Sequence, residues 1–203
     1  MTTIDSLTLD ATDPVAAKNF HAALGLDDLV TVADTPAPTT GFRGYTLSLV
    51  VSRPNIVDTL VQAALDGGAT TLKPVKKSLW GYGGVVQAPD GAIWKVATSS
   101  KKNTGPASRK IDDVVLLLGA DDVKASKQFY VDHGFEVAKS FGRKYVEFAT
   151  PDSRITLALY GRPALAKDAG VPADGTGYHG IVIGSDAPSF TDPDGFVWET
   201  AAR

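Results

Sequence analysis

The chain has 203 residues, 43% of them apolar and 21% charged, with a formal net charge of −3. That is ordinary globular composition, large enough for one or two cores, and it excludes a disordered chain. No apolar run approaches the ~20 residues of a membrane span. The start Met1-Thr2-Thr3-Ile4-Asp5 lacks the basic and apolar regions of a signal peptide, so a cytoplasmic protein with no membrane partner is expected. Zero cysteines exclude disulfides and thiolate chemistry, and leave His, Asp, Glu or carbonyl oxygen to hold any metal.

Ile4 to Leu9 alternates as a half-buried strand does. Asp13-Pro14 supplies an N-cap and a proline for the first helical turn, and Ala16, Phe20 and Leu24 recur at helical spacing until Gly25. A strand at Val30 precedes the proline-rich Asp34-Thr35-Pro36-Ala37-Pro38. Arg43 to Val51 predicts a strand, and Pro54 to Leu65 a helix with Ile56, Leu60 and Ala63 on one face, stopped by Gly67-Gly68. Strands follow near Thr71, Val85 and Ile93, the last two joined by a Pro89-Asp90-Gly91 turn. Lys101 to Lys110 is polar, broken by Gly105-Pro106 and carries four cations; it predicts a solvated linker between a domain at 1–100 and another at 111–203. The flanking halves carry −2 and −5, so no basic face supports nucleic-acid binding. Beyond the linker, strands are predicted near Val114, Val137, Val146 and Leu157 around a helix from Val123 to His133.

The chain repeats itself. Ala88-Pro89-Asp90-Gly91-Ala92-Ile93-Trp94-Lys95 returns as Asp192-Pro193-Asp194-Gly195-Phe196-Val197-Trp198-Glu199, and Thr40-Gly41-Phe42-Arg43-Gly44 as Thr176-Gly177-Tyr178-His179-Gly180. The opening strand and Asp13-led helix return as Ile111-Asp112 and the helix after Asp122, with Phe20 matching Phe129. Lys77-Ser78 and Pro89-Asp90 echo in Lys139-Ser140 and Pro151-Asp152. An α+β protein of two related halves, each of two βαβββ units, follows. The first and fourth units are truncated. The fourth lacks its helix, and the N-terminal half or a second subunit is expected to cover its sheet.

These features resemble the vicinal oxygen chelate superfamily, which includes glyoxalase I, bleomycin-resistance proteins and extradiol dioxygenases. The resemblance rests on the βαβββ unit, the helix ending in Phe129-Tyr130 before Gly134, the Gly177-Tyr178-His179 strand start, and Asp192 to Glu199. It covers nearly the whole chain as two diverged tandem copies, and it implies curved mixed sheets around a cup for a small molecule, often over a divalent metal. The metal pattern implied by the resemblance is half erased. In the N-terminal half its positions fall on Ser6, Arg43 and Lys95, and cations offer only donors. The C-terminal half keeps His179 and Glu199, with Asp113 or Glu147 as conceivable third ligands.

Two functions fit these residues. The first is a metal-free binder of a small planar or anionic compound, using Arg43, Lys95, Trp80, Tyr82, Tyr145 and Tyr178 and needing no cofactor. The alternative is a lyase, isomerase or dioxygenase in which His179 and Glu199 hold one divalent Zn, Ni, Fe or Mn ion and Glu147 moves the proton. Whether the protein is an enzyme stays open at this point, as does the choice between a monomer of two pseudo-repeated domains and a homodimer. Trp94 and Trp198 are expected in the core under the helices, and His21 and His133 in surface or cap positions.

Overall fold

The structure is a computed structural model that describes residues 2–35, 39–79 and 81–201. The first unit consists of β1 (Ile4–Ala11), α1 (Pro14–Leu24) and β2 (Val30–Asp34). The second adds β3 (Thr40–Gly41), β4 (Tyr45–Val50), α2 (Pro54–Asp66), β5 (Thr70–Ser78), β6 (Gly81–Gln87) and β7 (Ile93–Thr98). The third runs through β8 (Asp113–Ala120), α3 (Val123–Asp132), β9 (Glu136–Phe141), β10 (Tyr145–Ala149) and β11 (Thr156–Gly161). A further helix, α4 (Arg162–Ala169), then leads to the fourth unit: β12 (Gly175–Thr176), β13 (Ile181–Ser185), β14 (Phe190–Thr191) and β15 (Val197–Thr200).

Local chemistry sets these boundaries. The Asp13 carboxylate accepts from the Ala16 amide and the Asp122 carboxylate from those of Lys124 and Ala125, so both helices start on an aspartate cap. Gly25 closes α1 in the left-handed conformation. His133 takes the cap position of α3, as expected. His21 departs from its expected surface role: it is 1% exposed, with Nε2 3.3 Å from Asp90 Oδ2 and its ring beside Phe20 and Trp94. The helix turns this position toward the sheet, so the apolar stripe carries one imidazole.

The sheets are built across the two halves of the chain. An eight-stranded sheet of order β5-β6-β7-β4-β8-β11-β10-β9 joins units two and three through antiparallel β4 and β8, with Tyr45 opposite Leu118 and Val50 opposite Asp113. A five-stranded sheet of order β14-β15-β13-β1-β2 joins the truncated units one and four through antiparallel β1 and β13, with Leu7 opposite Ile183. The echo of Lys77-Ser78 in Lys139-Ser140 falls on β5 and β9, the two edges of the long sheet.

The sequence repeat is a structural one. In both Pro-Asp-Gly turns the glycine amide bonds back to the residue three before it: Gly91 N to Ala88 O at 2.9 Å, and Gly195 N to Asp192 O at 3.1 Å. Gly91 and Gly195 hold φ of 87° and 92°, a region in which a Cβ is strained. The helix opening each half packs on the tryptophan closing it. Phe20 of α1 lies 6.0 Å from Trp94, and Tyr130 of α3 lies 5.6 Å from Trp198. Both indoles are fully buried, as expected. The missing fourth-unit helix is therefore compensated within the chain: β1 extends the sheet from the N-terminal half, while α3 of the C-terminal half covers Trp198.

Candidate functional site

The eight-stranded sheet has one face under α1, α2 and α3 and an opposite face that alternation gives to Ser48, Val85, Ile93, Lys95, Leu117 and Tyr160. α4 lies on this second face. Leu165, Ala166 and Ala169 pack with Phe42, Val85 and Ile93, and with the partly buried Leu117 and Tyr160. Arg162 donates to the Phe42 carbonyl at 3.0 Å and stacks over its ring, anchoring the start of the helix. At the other end Lys73 Nζ donates to the carbonyls of Lys167 and Asp168 at 2.8 and 2.6 Å, and Lys95 Nζ meets Asp168 Oδ2 at 2.7 Å.

Beside this end of α4 lies a hollow of about 430 Å³. Val50, Val85, Ala97, Pro74 and the glycines of β6 form its apolar wall, and Lys73, Lys76, Lys95 and Asp168 supply the charged groups; Tyr82 borders it, but strand alternation turns its side chain to the helix-covered face. Gly83 and Gly84 bring the backbone close, because a Cβ on either would collide with β7 or with Val75. Lys76 has no ion pair among the described residues. The Tyr82 hydroxyl donates to Asp58 Oδ1 at 2.7 Å, a bond that pushes its pKa up and keeps the phenol neutral. With three ammonium groups against one carboxylate, the hollow suits an anion with an apolar body.

The other residues singled out in the sequence separate into distinct places. Arg43 and Tyr178 share a smaller hollow of about 270 Å³ with Asp10, Thr12, Thr35 and Asp90. Tyr145, Glu147 and Asp113 lie across the far half of the long sheet. There the Glu147 carboxylate accepts from Tyr145 Oη at 2.9 Å and from Lys139 Nζ at 2.6 Å, and Asp113 accepts from Thr156 Oγ1 at 3.1 Å. Burial raises the pKa of both Tyr145 and Asp113, and the Glu147 charge adds to each rise. Trp80 lies outside the described residues.

His179 and Glu199 are not brought together. His179 lies in the loop before β13 rather than on a strand, because Gly177 and Gly180 hold φ of 94° and 66° there. Its Nδ1 is 2.6 Å from the Arg43 carbonyl and its Nε2 2.9 Å from the Asp194 carbonyl, so both nitrogens are directed at acceptors. Its ring stacks on the fully buried Phe196, whereas Glu199 is exposed on β15 in an open hollow with Ser189, Thr191 and Val197. With a carbonyl oxygen 2.6 Å from one imidazole nitrogen and 2.9 Å from the other, neither has room for a metal at the ~2.0 Å of a metal–imidazole bond, and among the described residues no three His, Asp or Glu side chains form a group able to hold one. The residues present do not fit the metal that the family resemblance implies.

Asp168 and the whole of α4 escape a reading built on the repeat, because the corresponding stretch of the first half is the short Asp34 to Pro38 segment, and Lys73 escapes it because its partners are carbonyls of α4. Their signal is nonetheless present: Pro163 in the first turn, Leu165, Ala166 and Ala169 on one face, and Gly170 as a left-handed stop.

No protein-family model matches the chain, and no curated protein matches it. Solved structures do. Glyoxalase I from Zea mays aligns over 98% of this chain and 91% of its own, at 13% identity and a TM-score of 0.60. A proposed dioxygenase from Bacillus subtilis subsp. subtilis str. 168 aligns over 97% and 83%, at 11% identity and a TM-score of 0.58. A glyoxalase/bleomycin resistance protein from Albidiferax ferrireducens T118 aligns with 45% of this chain and 93% of its own, at 19% identity and a TM-score of 0.38. The chain thus has the fold of glyoxalase I, in agreement with its sequence resemblance to the vicinal oxygen chelate superfamily. No helix of the described residues is long and apolar enough to cross a membrane.

Proposed function

We propose that the protein binds a small anionic molecule with an apolar body, without a metal, in the hollow between β5, β6, β7 and the C-terminal end of α4. The observation that carries this reading is the set of lysines 73, 76 and 95 over an apolar wall, in a protein whose net charge is −3. The volume of about 430 Å³ falls within the usual range of small-molecule sites. The fold permits isomerases, dioxygenases and plain binders alike, so the assignment rests on the hollow and not on the likeness.

The test is a fluorescence titration with 8-anilinonaphthalene-1-sulfonate, an apolar anion of suitable size. Saturable binding is expected, weakened about 5- to 30-fold by Lys95→Met or Lys76→Met through loss of a charge-assisted contact, and unchanged by EDTA. Affinity indifferent to both lysines, or abolished by the chelator, contradicts the reading.

A further inference from the structure

α4 lies over the most apolar part of the concave face, and Val85 belongs both to the surface it covers and to the wall of the hollow. The hollow is therefore the portion of one larger cup that α4 leaves open. The C-terminal end of this helix presents the chemistry of an anion. The Asp168 carboxylate and the carbonyls of Lys167 and Asp168 all point at ammonium groups, at the negative end of the helix dipole. Two of the three lysines facing the hollow, Lys73 and Lys95, are thus engaged by the chain itself. Glycines flank the helix: Gly161 before it, and Gly170 after it with φ of 86°. The Lys95–Asp168 bridge is 36% and 48% exposed on its two side chains, so solvent screening leaves its hold weak and exchangeable.

We propose that α4 is an internal occupant of the cup, and that an anionic ligand displaces its C-terminal end by taking Lys95 and Lys73 from Asp168 and the helix carbonyls. The inference rests on the hollow being a binding site, and it names the ligand class. What α4 presents to the cup is a carboxylate beside the branched Leu165 and the small Ala166 and Ala169. The matching ligand carries a carboxylate, sulfonate or phosphate next to a compact apolar group, and it gains the apolar floor of Ile93 and Leu117 as α4 leaves.

Two measurements test the displacement. Asp168→Asn frees Lys95 from its internal competitor and is expected to tighten 8-anilinonaphthalene-1-sulfonate binding about two- to fivefold, the range set by an exposed ion pair. The chain has no cysteine, so Ala166→Cys places a single thiol under α4, at a position 1% exposed. Its reaction with neutral iodoacetamide is expected to be slow in the free protein and roughly tenfold or more faster at saturating probe, as local opening exposes it. Equal affinity in the parent and Asp168→Asn proteins, or a thiol rate untouched by bound probe, overturns the displacement and leaves the binding reading in place. Absence of saturable binding in both proteins overturns the two together.

Discussion

His179 lies flat on Phe196, with ring centroids 3.8 Å apart and planes 17° from parallel. The imidazole that the family pattern would assign to a metal here bridges two loops, from the Arg43 carbonyl to the Asp194 carbonyl. Arg43, its counterpart in the repeat, lies under the Gly91 turn as His179 lies under the Gly195 turn. His179→Ala removes the stack and the imidazole that fills the space between the Arg43 and Asp194 carbonyls. A loss of about 2–4 kcal/mol in unfolding free energy is expected by urea denaturation. A loss below about 0.5 kcal/mol contradicts a structural role of this size.

Gly195→Ala tests the turn itself. At φ of 92° an added Cβ strains the backbone, and it approaches His179 Nε2 at 3.4 Å. Destabilisation of about 1–2 kcal/mol is expected, with a similar cost for Gly91→Ala at the equivalent turn. Thermal unfolding of the two variants side by side checks whether the repeat holds energetically; a cost at one turn and none at the other denies it.

The buried His21 and Asp90 are predicted to be coupled. Asp90 also caps its own turn, accepting from the Ala92 amide at 2.8 Å. His21→Leu strands a carboxylate in the core, and Asp90→Asn removes the partner of a buried imidazole. Each change is expected to cost about 2–4 kcal/mol, and the double variant at least about 1 kcal/mol less than the sum. Strict additivity in a double-mutant cycle contradicts the pair.

Asp113 gives a pH-dependent prediction. Burial raises its pKa above the ordinary carboxylate value, so the folded state holds the proton that the unfolded state releases first. Its contribution to stability is fully present below the ordinary value, falls as pH rises through the window up to the raised value, and is absent above it. Asp113→Asn removes this penalty. The variant is expected to equal the parent at pH 3 and to exceed it by less than about 1 kcal/mol at pH 7, the modest size reflecting partial solvent access. Paired denaturation curves at the two pH values decide the matter, and a gain confined to acid pH reverses the sign.

Much of the architecture was legible because the repeat was. Asp13 and Asp122 announce helix starts through cap chemistry, and the Pro-Asp-Gly turns through backbone conformations that glycine tolerates. Trp94 and Trp198 could be placed in the core by strand alternation once Lys95 and Glu199 were assigned to the cup that the family resemblance implies. The site was less legible, for three physical reasons. α4 has no partner in the other half, so a search for internal likeness passes over it. The side of a helix on which His21 falls depends on the sheet beneath, which is built partly from the other half of the chain. Conserving the identity of His179 and Glu199 says nothing of direction: the residues match the family pattern in sequence, yet one stacks inward on Phe196 and the other faces outward from β15.

The cross-pairing of the units also bears on how the molecule is made. Thr3 N donates to Asp186 Oδ1 across 183 positions, and β1 waits for β13 to complete its sheet. Synthesis from the N-terminal side produces β1 and β4 with exposed ladder edges long before β13 and β8 exist to pair with them. Contacts of such sequence separation add loop-closure entropy, so folding slower than that of a chain with local pairing is expected, with unpaired edges open to association until the second half arrives. Closure entropy grows only with the logarithm of the loop, so the long reach from β1 to β13, and not the ten residues at 101–110, is expected to set this cost.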